Sequence, residues 1–278
     1  MHACGHDCHT AAALGAALLL ARRREELAGN VKFFFQPDEE GNGGAKRMMD
    51  AGCLDAPRVD AVFGLHVNPD LPAGTVGVRY GKFYAASNMF RATVTGRSCH
   101  GAEPEKGVNA LTAAADMLLE VERLRARLQE KYGRLIITTG SLRAGTAGNI
   151  LPGEAVLEGI IRTLGPEARR ETVAAFRTLL EEVAARHGVS LSLAMRESYP
   201  GVVNHDAETA LAERCAGRLF GPERVVRLAE PTMTTEDFGY FLQERPGSFL
   251  SFGVGGNWPL HNPHFLPPEA LLPDMAAL

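Results

Sequence analysis

Apolar and polar positions change their period several times along the first eighty residues. Residues 10–27 carry apolar side chains at helical spacing behind Thr10, which predicts a helix with Thr10 as its cap. Residues 31–35, Val-Lys-Phe-Phe-Phe, are a short apolar run that predicts a buried strand. A helix over 43–51 follows, stopped by Gly52, and then a second strand over 59–66. This alternation predicts an α/β layer, a mainly parallel sheet flanked by helices. In such sheets functional groups collect at the carboxyl ends of strands, where Glu39, Glu40 and His66 fall.

The pattern changes near residue 85. Strands are predicted at 89–95, 135–142, 154–163 and 189–196, and long amphipathic helices at 108–129 and 166–187, with Gly188 as a stop. The order β-α-β-β-α-β is that of a ferredoxin-like α+β domain. Helices at 206–219 and 236–244 and a strand at 248–254 return to the earlier character. The chain therefore reads as a discontinuous domain, 1–85 and 199–278, with residues 86–198 inserted into it.

Composition narrows the function classes. With 45% hydrophobic residues over 278 positions, the chain can bury a sizeable core. Lys and Arg number 29 against 33 Asp and Glu, a net charge of −4, and the one basic run, Arg22-Arg23-Arg24, sits at a helix end that favours cations. Nucleic-acid binding by charge is excluded, and no apolar run approaches the roughly 20 residues that span a bilayer. Residues 11–20 are short and follow an acidic, His-rich stretch, so they do not read as a signal peptide. Five cysteines, an odd number, in a long chain argue against a disulfide framework and for a reducing cytoplasm.

The chemistry-bearing residues cluster early. Residues 2–10 read His-Ala-Cys-Gly-His-Asp-Cys-His-Thr, with three histidines, two cysteines and an aspartate, all groups that bind transition metals when deprotonated. In an extended loop Cys4 and His6 point the same way and can share a metal. The other reading is a polar loop with a buried, inert cysteine. A structural zinc knuckle needs a second Cys/His pair, and haem attachment a Cys-x-x-Cys-His run; neither is present. A Glu-Glu pair is usually a solvated face, but Glu39-Glu40 follows Phe-Phe-Phe-Gln-Pro and precedes a glycine-rich loop. There one carboxylate can bind metal while the other holds a water and moves its proton, which points to metal-assisted hydrolysis. His66 and His261 would supply further nitrogen ligands for a two-metal site, although either alone also reads as structural. In the inserted domain, His100, Asn149 and Arg162 form no site by spacing; a loop histidine, a capping asparagine and a surface arginine are ordinary.

Taken in order, seven segments resemble the dinuclear metallo-amidohydrolases, which include aminoacylase-like enzymes, hippurate hydrolase and indole-acetyl-amino-acid hydrolases. They are Met1-His-Ala-Cys-Gly-His-Asp-Cys-His-Thr-Ala11, Phe35-Gln-Pro-Asp-Glu-Glu-Gly41, Gly64-Leu-His-Val-Asn-Pro69, His100-Gly-Ala-Glu-Pro104, Asn149-Ile-Leu-Pro152, Glu236-Asp-Phe238 and His261-Asn-Pro263. The resemblance covers nearly the whole chain. It implies hydrolysis of the amide bond of N-acyl amino acids through a metal-bridged water. Cys4, His6, Glu40, His66 and His261 match the ligands of two divalent ions, zinc, manganese, cobalt or nickel, and Glu39 matches the general base. His100, Asn149 and Arg162 match lid-domain groups that bind the scissile carbonyl and the substrate carboxylate, and residues 86–198 match a lid that makes a homodimer. Asp7, His9, Glu236 and Asp237 match supporting residues, not ligands.

The chain also departs from the family's pattern. Relatives carry a substantial segment ahead of the Met-His-Ala-Cys motif, so the chain reads as truncated at its N-terminus, with a catalytic sheet expected to lack its first strands. The C-terminus also looks cut short within a helix. Glu105 stands where many relatives have histidine, and Asp38 where alanine is common. Two other functions are kept open: an inactive relative acting as a dimeric binding scaffold, and a related dipeptidase or carboxypeptidase.

Overall fold

The computed structural model describes residues 1–278. In chain order its elements are α1 (His6–Arg22), α2 (Ala45–Asp50), β1 (Val62–Asn68), β2 (Val76–Val78), β3 (Gly81–Tyr84), β4 (Ala86–Thr95), β5 (Cys99–His100), α3 (Ala110–Tyr132), β6 (Ile136–Ala144), β7 (Ile150–Leu151), β8 (Glu154–Thr163), α4 (Pro166–His187), β9 (Ser190–Glu197), β10 (Val202–Asn204), α5 (Asp206–Phe220), β11 (Val225–Arg227), α6 (Gly239–Glu244), β12 (Gly247–Gly253) and α7 (Leu272–Ala277). They form two compact units. The first is Met1–Phe83, Val202–Pro231 and Glu236–Leu278; the second is Tyr84–Gly201 and Thr232–Thr235. No helix is long and apolar enough to cross a membrane.

The first unit is built on a four-stranded sheet in the order β1-β12-β2-β11. β12 runs parallel to β1, and β11 parallel to β2, but β12 and β2 are antiparallel, so the sheet is mixed. All residues of the inner strand β12 are buried, which explains its nearly continuous apolar sequence. Val67, Val76, Val78, Leu250 and Phe252 form the core with Cys8 and Ala12 of α1 and with Phe265 and Met275. Buried Asn204 pins β12 from the side. Its Nδ2 donates to the carbonyls of Arg79 and Phe249, each at 2.9 Å, and its Oδ1 accepts from Phe249 N at 2.8 Å.

Two local expectations are corrected here. Residues 31–35 are extended but join no ladder, and Val31 and Phe35 stay about half exposed (53% and 50%). A strand exists only beside a partner, and none runs alongside this segment. Phe34 instead stacks on Phe241 at 5.6 Å, and Lys32 Nζ donates to the carbonyls of Cys53 (2.8 Å) and Ala56 (3.2 Å). Thr10 is not a cap. It lies inside α1 with Oγ1 donating to His6 O at 3.0 Å, and Gly5, left-handed at φ 81°, occupies the N-cap. The helix thus opens five residues earlier, placing His6 on its first turn.

The second unit holds a four-stranded antiparallel sheet in the order β6-β8-β4-β9. With two crossing helices this is the ferredoxin-like arrangement expected from the sequence. β4 and β8 pair over their full length, from Ala86 opposite Thr163 to Thr95 opposite Glu154. α3 buries Ala110, Ala113, Ala114, Met117, Val121, Leu124 and Leu128, spaced by three and four, against Phe90, Ile137, Leu157 and Ile161. Asn109 caps α3, its side chain accepting from Leu111 N and Thr112 N at 3.0 and 3.2 Å. Gly188, left-handed at φ 65°, ends α4.

Candidate metal centre

The site begins in the turn that starts α1. Gly5 N donates to His2 O at 2.7 Å, and Ala3 is held left-handed at φ 49°. That turn presents Cys4 and His6 together. The His261 loop is fastened to it by a backbone bond, His261 N to Ala3 O at 2.7 Å. Gly5 is dictated by its surroundings: a Cβ there would lie 2.5 Å from Val67 Cγ2 on β1.

His66 lies toward the carboxyl end of β1. Its Nδ1 donates to Val67 O at 2.7 Å, leaving Nε2 with its lone pair, 3.3 Å from Cys4 Sγ. Burial dominates in pulling the imidazole down to about 4, so it is neutral near neutral pH, the form that binds metal. His9 packs beside it at 4.5 Å between ring centroids, and its Nε2 accepts from Val67 N at 2.9 Å. Burial likewise drives His9 well below the usual histidine range.

The carboxylates approach from the other side. His6 Nε2 lies 3.8 Å from Glu39 Oε2 and 3.9 Å from Glu40 Oε1, and His261 Nε2 lies 3.3 Å from Glu40 Oε1. Donor atoms of Cys4, His6 and His66 fall within 4.8 Å of one another, as do those of Cys4, Glu40 and His261, and those of His6, Glu39 and Glu40. These sets share members pairwise, so the five expected ligands and Glu39 form one continuous cluster.

The electrostatics of the cluster is that of a site built for positive charge. Burial, then Glu40 and Asp237, pushes Glu39 up to about 7. Burial, then Glu39, pushes Glu236 well above the carboxylate range, and burial with Glu40 pushes the Cys4 thiol up. Each shift reports a charge that its neighbours disfavour and a divalent cation would relieve. A thiol, three imidazoles and carboxylates at this spacing fit zinc, manganese, cobalt or nickel.

Two residues set aside as supporting have defined tasks. His9 braces the His66 segment through Val67 N. Asp237, fully buried, accepts from Gln36 Nε2 (2.7 Å), Gly44 N (2.8 Å) and Ala45 N (3.0 Å), on either side of Glu39 and Glu40. Gln36 was missed altogether; its one sequence cue is its place between the Phe run and Pro37. Asp7 hydrogen-bonds His2 at 2.6 Å, outside the main cluster.

His100, Asn149 and Arg162 belong to the second unit. β5 and β7 bring the first two together: His100 pairs with Ile150, and Gly101 N donates to Asn149 O at 2.8 Å. Arg162 lies near the end of β8, with Nη1 donating to Met233 O at 3.3 Å and a buried Nε that has no partner.

The profile of peptidase family M20/M25/M40 matches residues 1–278. The chain belongs to that family. Among its M20 relatives, N-acetyl-L-cysteine deacetylase of Bacillus subtilis is 34% identical over 267 residues, 95% of this chain and 62% of the relative. N-acetyldiaminopimelate deacetylase of Streptococcus sanguinis is 36% identical over 98% of this chain and 72% of its own length. The crystal structure of a dinuclear metal-binding M20 peptidase from Bacillus subtilis superposes with a TM-score of 0.84 at 34% identity, covering all of this chain and 70% of that one. The chain thus spans about two thirds of the length of these relatives.

Proposed function

We propose that the protein hydrolyses the amide bond of N-acyl amino acids with two divalent cations held by Cys4, His6, Glu40, His66 and His261. The observation that carries this reading is the convergence of those five donors into one cluster, which Glu39 joins through His6 and Glu40. Bound there, the cations would polarise the amide carbonyl and acidify a water. Glu39 takes the proton as the water adds to the carbonyl carbon and delivers it to the departing nitrogen. His66 stays neutral and oriented through its bond to Val67 O. His100 and Asn149 bind the scissile carbonyl, and Arg162 takes the substrate carboxylate. The chemistry of Arg162 supports that assignment, since a planar guanidinium fork suits a carboxylate.

Two relatives named as deacetylases of N-acetyl amino acids support the acyl-amino-acid substrate class. A dipeptide also offers an amide beside a carboxylate, and the similar solved structure is described as a peptidase, so peptide cleavage is the second reading. Metal content by mass spectrometry and turnover of a panel of N-acetyl amino acids and dipeptides, with manganese or zinc supplied, decide between them. Two equivalents of metal and preferential release of acetate are expected. Metal-loaded protein that cleaves neither substrate class would refute the catalytic reading and leave the binding scaffold. A homodimer through residues 86–198 completes the proposal, supported by the open edges of β6 and β9 and tested by light scattering.

A further inference from the structure

We infer that Asp237 is the positioning residue of the carboxylate loop: one buried side chain clamps both ends of the segment that carries Glu39 and Glu40. The inference rests on the roles proposed above for those two glutamates. Asp237 is completely buried. Its Oδ1 accepts from Gln36 Nε2 at 2.7 Å, three residues before Glu39. Its Oδ2 accepts from Gly44 N and Ala45 N at 2.8 and 3.0 Å, just after the loop and at the start of α2. The seven residues between are bent back on themselves at Asp38, which is left-handed at φ 63° and whose carbonyl accepts from Gly41 N and Gly43 N at 3.3 and 2.9 Å. Asp38 thus shapes the turn, and Asp237 fixes where the turn sits.

The sequence is matched to this clamp. A Cβ at Gly44 would lie 2.0 Å from Pro37 O, so only glycine lets the returning strand of the loop come that close. Gly44 N and Ala45 N are among the donors that a helix start leaves without partners, and a buried donor left unpaired is costly. Asp237 satisfies them from a segment almost two hundred residues away, and one of its carboxylate oxygens lies within 4.8 Å of oxygens of Glu39 and Glu236. A carboxylate is suited to this because it accepts on both oxygens at once. Asp38 bonds only nearby groups, Arg47 of α2 at 2.9 Å and Asn42 N at 3.3 Å, so it shapes the turn without anchoring it to the rest of the unit.

Substitution separates the clamp from the charge. In Asp237→Asn the amide oxygen can face Gly44 N and Ala45 N, while the amide nitrogen donates to Gln36 once the Gln36 amide turns over. Geometry is kept and the charge is lost. Asp237→Ala removes both. With saturating manganese and an N-acetyl amino acid, Asp237→Ala is expected to lose about a hundredfold in kcat, the scale of a displacement near 1 Å of a catalytic group, with KM within threefold. Asp237→Asn should recover most of that loss. Hydrogen exchange by mass spectrometry on the same proteins, without substrate, should show faster exchange at residues 36–48 in Asp237→Ala and unchanged exchange in β12. Turnover of Asp237→Ala within threefold of the parent, or Asp237→Asn no better than Asp237→Ala, would overturn the inference. So would unchanged exchange at 36–48, or acceleration spread through the whole first unit. If the parent protein cleaves no substrate, the catalytic reading fails and the exchange comparison alone decides on the clamp.

Discussion

Gly5→Ala tests how tightly the fold is tied to the metal centre. Gly5 sits between the proposed ligands Cys4 and His6, and its φ of 81° is one that alanine adopts at a cost of about 1–2 kcal/mol. The added methyl would stand 2.5 Å from Val67 Cγ2, well inside contact distance. Val67 cannot turn aside, because it is β-branched, 1% exposed and held in the β1–β12 ladder. Overpacking of this kind adds about 1–3 kcal/mol, for a total of roughly 2–5 kcal/mol. At about 2–4 °C per kcal/mol, the melting transition should fall by roughly 4–20 °C. The displacement would also reach the site, since Val67 N bonds His9 and Val67 O bonds His66. Gly29→Ala is the control: a Cβ there meets nothing within 4 Å, so it should be neutral or slightly stabilising. Calorimetry and metal titration on both variants are the assay. A Gly5→Ala protein that melts with the parent and takes up two metals at parental affinity would refute the argument that this turn admits only glycine.

Glu39→Gln should leave metal content near the parental level while kcat falls by about two to four orders of magnitude, the usual contribution of a positioned general base; near-parental turnover would remove Glu39 from that role. In metal-free protein Glu39 is raised to about 7 from 4.5, chiefly by burial, so its folded pKa exceeds its unfolded one. That stabilising contribution is complete below pH 4.5 and lost as pH rises through 7. Metal-free Glu39→Gln should therefore gain melting temperature relative to the parent as pH is raised across that window, and a constant difference would contradict the burial argument. His66 runs the other way: depressed to about 4 from 6.5, it takes stability from the metal-free protein as pH falls across that range, roughly 3 kcal/mol, and His66→Asn should flatten that decline. Arg162→Ala should raise KM for N-acetyl amino acids far more than for the matching amides that lack the carboxylate; equal losses on both would make Arg162 structural.

What the sequence disclosed and what it hid follow from where the information lies. The second unit was legible because its elements are long and carry their own punctuation: β8 and α4 fall where alternation and a helical stripe ending at Gly188 put them. β2 and β11 have three residues each, too few to show a period, so neither they nor the antiparallel β12–β2 pairing could be anticipated. The run at 31–35 misled because apolar spacing reports burial on one side of a segment, while a strand also needs a backbone partner that spacing does not specify. The metal cluster was legible because its members are chemically distinctive side chains, and Cys, His and Glu announce themselves wherever they fall. Asp237 and His9 could be named as supporting residues, but their tasks could not be read, because the groups they serve are mostly main-chain amides, Gly44 N, Ala45 N and Val67 N, which every non-proline residue possesses. The chain's choice of glycine at position 44 was the one trace of that clamp, and only the approach of Pro37 O to within 2.0 Å of a would-be Cβ gives it meaning. Residues that act on side chains can be given a role from spacing, whereas the role of residues that act on backbone becomes visible only when the fold brings the two distant segments into contact.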